Sequence, residues 1–253
     1  MLRTRVMPVL LLRRESLVKT TRFGKFTYVG DPCNTVRIFN ELEVDELVFL
    51  DIMATREDKA PNLAVLTDIA NECFMPLAYG GGIREVEVAK AIHKIGFEKI
   101  IVNTAAVKDP GLVQRLASQF GSQAVVVSID VKSDLFGKQR VFINAGKKNT
   151  GRDPLEWASE VQAMGAGEIL LTSIDREGSW TGFDNELVRR VTETVDIPVI
   201  ANGGAGCVEH IGDVVNHAGA SAVGLGSMVV FQKKGMGVLV NFPDRDELAG
   251  AII

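Results

Sequence analysis

Apolar residues in this chain fall into short runs separated by stretches of helical period. Arg5-Val-Met-Pro-Val-Leu-Leu-Leu12 is the first run. Ala124-Val-Val-Val-Ser-Ile-Asp130 is continuous, as a parallel strand covered on both faces requires. Between runs the period changes from 2 to 3.6. Val86, Ala89, Ile92 and Ile95 share one face of a helix over 84–95, and Gly96 stops it. Asp31-Pro32, Asp109-Pro110 and Asp153-Pro154 each set an N-cap residue before a proline suited to the first helical turn. The pattern predicts strands over 5–12, 46–52, 76–83, 99–103, 124–130, 168–173, 197–201 and 221–226. Helices follow from near Asp31, Pro61, Arg84, Asp109, Asp153 and Asp184. A polar segment carrying Lys19, Arg22 and Lys25 between aromatic residues separates the first strand from the first helix. Phe136-Gly-Lys-Gln-Arg-Val-Phe-Ile-Asn144 reads as a small hairpin after the fifth strand. Beyond the eighth strand the pattern weakens. Gly235 to Pro243 makes a poor helix, so the last outer helix is expected to be short, displaced or missing.

The chain also repeats itself. Pro76-Leu-Ala-Tyr-Gly-Gly-Gly-Ile83 is echoed by Pro198-Val-Ile-Ala-Asn-Gly-Gly-Ala205, about 122 residues later. Asn103-Thr104 is echoed by Gly226-Ser227, and Glu46 to Asp51 by Glu168 to Ser173. Two similar halves of alternating strands and helices, 253 residues in all, predict one domain over 1–253. The predicted fold is a (β/α)8 TIM barrel with two pseudo-symmetric halves and an atypical, shortened C-terminal end. Glycine pairs at strand ends let the backbone approach a ligand, and N–H groups at a following helix start favour an anion. The paired turns imply a ligand with two phosphates. One would sit at Gly81, Gly82, Asn103 and Thr104, the other at Gly203, Gly204, Gly226 and Ser227.

Composition narrows the classes. A net charge of -4 gives no basic face for nucleic acid. No apolar run reaches the roughly 20 residues that span a bilayer, and the start of the chain lacks signal-peptide order. Cys33, Cys73 and Cys207 are odd in number and scattered, which points to reduced thiols and a cytoplasmic setting. His93, His210 and His217 fall in predicted helices away from the strand ends, so no metal site is expected.

The motifs Asp45-Glu-Leu-Val-Phe-Leu-Asp-Ile52, Gly80-Gly-Gly-Ile-Arg84, Asn103-Thr-Ala-Ala-Val-Lys-Asp109, Gly121-Ser-Gln-Ala-Val-Val-Val127, Gly165 to Ser173 and Gly203-Gly-Ala-Gly206 resemble the cyclase subunit of imidazole glycerol phosphate synthase (HisF-like). The resemblance reaches to about Gln232. It implies a glutaminase partner on the N-terminal barrel face, ammonia crossing the barrel, and a bisphosphorylated ribulosyl-formimino nucleotide as acceptor. No metal or organic cofactor is implied. It assigns ligand binding also to Lys19, Thr172 and Gly178, and a catalytic carboxylate to Asp130.

One position departs. Where the family places a second catalytic aspartate, at the end of strand 1, this chain has Leu11. Leucine transfers no proton, and losing a positioned acid–base group costs about 10²–10⁴ in rate. Asp51 and Glu177 are the other available carboxylates. At the opposite end, Arg5, Glu46, Lys99 and Glu168 each begin a strand and share a face with Leu11, Leu50, Asn103 and Thr172 in turn. The four should therefore ring the barrel floor, where the resemblance places an ammonia gate. A kept gate with altered upper chemistry resembles a paralogous branch associated with amidation of bacterial surface sugars. That branch adds an ATP-dependent amidotransferase as partner. Lys25 to Pro32 and Phe231 to Phe242 look like it. A histidine-pathway cyclase is the alternative.

Overall fold

The computed structural model describes residues 4–134 and 136–252. Eight parallel strands close a barrel: β1 (Arg5–Arg13), β4 (Leu47–Asp51), β5 (Leu77–Gly80), β6 (Lys99–Val102), β7 (Val125–Ser133), β10 (Glu168–Ser173), β11 (Val199–Asn202) and β12 (Ala222–Leu225). Each pairs with the next. β7 joins β10 across the seam between the halves, and β12 returns to β1 with Arg5 opposite Ala222. Around the strands pack α1 (Pro32–Glu41), α2 (Leu63–Glu72), α3 (Val86–Ile95), α4 (Thr104–Lys108), α5 (Gly111–Phe120), α6 (Pro154–Ala163), α7 (Asn185–Thr192), α8 (Val208–Ala218) and α9 (Arg245–Ala251). This is the (β/α)8 barrel that the periodicity predicts. No described helix is long and apolar enough to cross a membrane.

Strand parity divides the apolar residues into two cores. Val6, Leu10 and Leu12 point outward under the helices, among Phe39, Phe49 and Trp157. Met7 and Val9 point inward, where Val48, Ala78, Ile101, Val126, Leu170, Ile200 and Ala222 fill the barrel. Strands buried on both sides need apolar residues at every position, which is why β1 and β7 read as unbroken runs.

Two of the three Asp-Pro starts behave as expected. Asp31 accepts from the Asn34 amide at 2.8 Å, and Asp153 from Leu155 at 2.9 Å. Asp109 does not cap α5. Its backbone closes α4, donating to the Ala105 carbonyl at 2.8 Å, and its carboxylate binds Arg115 at 2.6 Å. Pro110 takes the cap position instead, without a side-chain bond.

The polar segment after the first strand is a larger departure. It folds as β2 (Ser16–Thr20), antiparallel to β1, and β3 (Phe26–Gly30), antiparallel to β2. Leu17 and Val18 are buried there, reached by a tight turn in which Arg14 adopts φ 59°. The expected hairpin also shifts. β7 continues to Ser133, and β8 (Gln139–Ile143) pairs back on it, with β9 (Lys148–Asn149) beyond. Its first arm is thus the barrel strand itself. After β12 a short 3-10 turn leads to a bridge between Phe231 and Val238, and the last helix is displaced to α9. α9 lies so close to α8 that a Cβ on Gly212 would come within 2.5 Å of the Ala251 carbonyl.

Candidate functional site at the two ends of the barrel

The floor is a closed ring of charge. Arg5 binds Glu46 and Glu168 at 2.7 Å each, and Lys99 reaches the same two carboxylates at 3.0 and 3.1 Å. Each cation bridges both anions and each anion bridges both cations. The side chains are largely buried, with Arg5 the most open at 28%. All four residues proposed for the gate meet here. Arg5, Lys99 and Glu168 open β1, β6 and β10 and Glu46 immediately precedes β4, each at the inward parity of its strand.

Above the inner core the barrel opens into a cavity of about 710 Å³ at the C-terminal ends of the strands. Every upper residue singled out from sequence lines it: Lys19, Gly81, Gly82, Asn103, Thr104, Asp130, Thr172, Gly178, Gly203, Gly204, Gly226 and Ser227. Leu11 lines it too, paired with Leu50 of β4 and only 8% exposed.

The two glycine turns are built alike. Gly81 and Gly203 both have positive φ, and a Cβ on either would meet a carbonyl oxygen at 2.8 Å, that of Asp51 or Ser173. Asn103 and Gly226 also take similar angles, φ/ψ −126°/−82° and −105°/−96°, before a short helical turn. Close packing of strand-end loops accounts for these glycines by itself. It also leaves bare backbone facing the cavity.

The ionisable groups differ in setting. Burial pushes the Asp130 carboxyl up to about 7, although Ser128 donates to it at 3.1 Å and opposes the shift. Asn103 donates to its other oxygen at 3.2 Å. Asp51 is also raised by burial, against amide bonds from Met53 and Ala54. Lys19 is buried, its pKa lowered by desolvation despite nearby Glu177, and its ammonium donates to the Val9 carbonyl at 3.2 Å. The same ammonium lies 2.5 Å from where a Cβ on Gly226 would be. Glu177 accepts from the Thr20 hydroxyl at 2.9 Å and the Phe23 amide at 3.1 Å, tying the β2–β3 connection across the mouth. Gly178 meets that connection: a Cβ there would lie 2.5 Å from the Thr20 carbonyl. Thr172 accepts from Asn202 at 3.0 Å. His93, His210 and His217 lie on α3 and α8, and no group of three or more potential metal ligands occurs among the described residues.

Sequence reasoning missed Ser128, Asn202 and Arg13. For Ser128 a signal existed, since a spacing of two on β7 sets it on Asp130's face. Asn202 likewise ends β11 at inward parity, in register with Thr172.

The sequence profile of a family described as Histidine biosynthesis protein matches residues 5–234. A Pseudomonas aeruginosa protein with the provisional name imidazole glycerol phosphate synthase subunit hisF2 is 48% identical over 98% of this chain and 99% of its own length. One from Vibrio vulnificus, provisionally named subunit hisF3, is 44% identical over 100% and 97%. The imidazole glycerol phosphate synthase subunit HisF of Trichormus variabilis is 40% identical over 96% and 95%.

Proposed function

The chain belongs to the histidine biosynthesis protein family as a HisF-like barrel, and we propose that it is the ammonia-conducting subunit of a glutamine-dependent amidotransferase. In this reading a glutaminase docks on the N-terminal face around Arg5, Glu46, Glu98, Lys99 and Glu168. Ammonia passes the floor ring and the inner core, and leaves through the upper cavity to amidate a bacterial surface-sugar precursor. The observation that carries it is the contrast along β1. Arg5 is locked into a complete ring, while Leu11 supplies no proton-transfer group to the cavity. Stability is a poor reason to keep four buried charges, since such pairs roughly break even against apolar packing. Passage of a small neutral molecule is a better one. Ala78 and Ala222 are the smallest side chains of the inner core, and the path would run beside them.

The cyclase reading has its own support. Asp130 and Asp51 both line the cavity and both hold their protons more tightly than ordinary carboxylates. Two such groups in different settings can divide acid and base roles. Twin glycine turns suit a bisphosphorylated substrate under either reading.

The deciding experiment reconstitutes the barrel with a glutaminase and an ATP-dependent sugar amidotransferase, and compares glutamine with added ammonia. Lys99→Ala is expected to uncouple glutamine hydrolysis from product while free ammonia still works. Equal product from both sources in mutant and wild type would reduce the floor ring to a structural role. Turnover of the bisphosphorylated nucleotide at the rate of a two-aspartate cyclase would favour the second reading.

A further inference from the structure

Arg13 ends β1 at the inward parity of Arg5, Met7, Val9 and Leu11, and so stands at the cavity mouth. Its guanidinium lies flat on Phe26 of β3, 3.7 Å from the ring centroid. Its Nε is buried with no hydrogen-bond partner. A guanidinium offers five N–H donors in a fixed plane, yet no acceptor among the described residues takes any of them. Of the other cations lining the cavity, Lys19 donates to the Val9 carbonyl and Arg84 pairs with Asp58, while Arg56 and Lys108 are exposed to solvent. Glu57 feels the charge of Arg13 but is already bonded to Lys59 at 2.5 Å. A half-buried guanidinium, fixed by an aromatic face and left without acceptors, is preorganised for an oxyanion from outside the protein.

We infer that Arg13 binds a third anionic group of the cavity's ligand, a carboxylate or phosphoryl group lying on the β1 side away from both glycine turns. The inference rests on the upper cavity being the ligand site of the proposed function. It adds that the ligand carries more than two phosphates' worth of anionic groups. Leu11, one inward position below, contributes to the selection. An acid at that position would offer Arg13 an internal partner, whereas leucine keeps the wall beside it neutral. Arginine suits the task better than lysine, because its fork matches planar oxyanions and stacks on Phe26.

The test has two arms. Arginine Nε–H signals are recorded by NMR on the full chain, with Arg13 assigned by its loss in Arg13→Lys, while inorganic phosphate is added. The Arg13 signal is expected to shift and saturate. Calorimetry then compares ribitol 1,5-bisphosphate with 2-carboxyarabinitol 1,5-bisphosphate, which adds a carboxylate. The wild type is expected to prefer the carboxylated compound by about tenfold. Arg13→Gln should abolish that preference while keeping affinity for the plain bisphosphate. A silent Arg13 signal, or a preference that survives in Arg13→Gln, overturns the inference. If neither bisphosphate binds but the Arg13 signal responds to phosphate, the Arg13 site stands and the two-phosphate reading of the cavity falls.

Discussion

The two ends of the barrel interior both carry buried charged groups and use them in opposite ways. On the floor every charge answers another: Arg5 and Lys99 each bridge Glu46 and Glu168, and the ring is complete without a ligand. At the top the buried charges make no such ring, and the ion pair of Arg84 with Asp58 lies at the exposed rim. Asp130 leans on Ser128 and Asn103, Lys19 on a carbonyl, and Arg13 on an aromatic ring. A ring satisfied internally keeps one geometry and is suited to closing a passage. Groups buried without charge partners shift their pKa values or wait for a ligand, which is what binding and chemistry require. In the proposed function this difference separates passage at the floor from recognition at the top.

The largest expected effect tests the top. With saturating ammonia and the bisphosphorylated nucleotide, this protein should turn over at least about a hundredfold slower than a barrel with both aspartates. Leu11→Asp should recover part of that loss in a steady-state assay. Native-like turnover without the substitution would show that another carboxylate, Asp51 or Glu177, already serves.

Next is the pH dependence of stability. The folded Asp130 pKa, about 7, lies above the ordinary aspartate value of 3.8. Between these values the folded state binds more protons than the unfolded one, so stability falls as pH rises from about 4 to about 7 and then levels. Asp130→Asn should remove this slope and stabilise the protein above pH 7 by on the order of 2–4 kcal/mol. Urea unfolding at pH 5 and pH 8 measures it. An unchanged slope would mean that Asp130 is solvated and the top less dry than described.

The floor should respond differently. Lys99→Ala removes two of the four contacts but leaves Arg5 bridging both glutamates, so the cost is expected near 2 kcal/mol. Arg5→Ala should cost more, because Lys99 makes the longer bonds. Equal costs in chemical denaturation would indicate a loose cluster rather than a ring. The smallest effect is phosphate stabilisation: at ten times its dissociation constant, phosphate should add about 1.4 kcal/mol per turn it occupies. Replacing Gly82 should remove roughly half of it if the two turns bind alike.

Much of this was legible along the chain. Faces alternate on a strand with a period of two, so knowing the strands fixed which charges share the floor and which glycines share the top. The two halves announced themselves because the repeat preserves spacing. Closure and the identity of the eight strands followed from continuous apolar runs and helix signals between them. The mouth was less legible. Lys19 to Val29 read as a polar segment because β2 turns its polar Lys19 and Thr20 into the fold, and β3, paired only with β2, is exposed over most of its length. Asp109 looked like a cap, yet the residue before it ends another helix, and its carboxylate went to Arg115.

What the sequence determined by itself was therefore local: strand, helix, face and repeat, each governed by neighbours within a few positions. What the tertiary structure decided was every property that depends on distant segments meeting. Glu177 holds Thr20 from 157 residues away, and Arg13 finds its aromatic face only because β3 folds back over β1. Asp130 has a raised pKa because barrel closure buries it. Burial is a property of the assembled barrel, and no pattern along one strand encodes it.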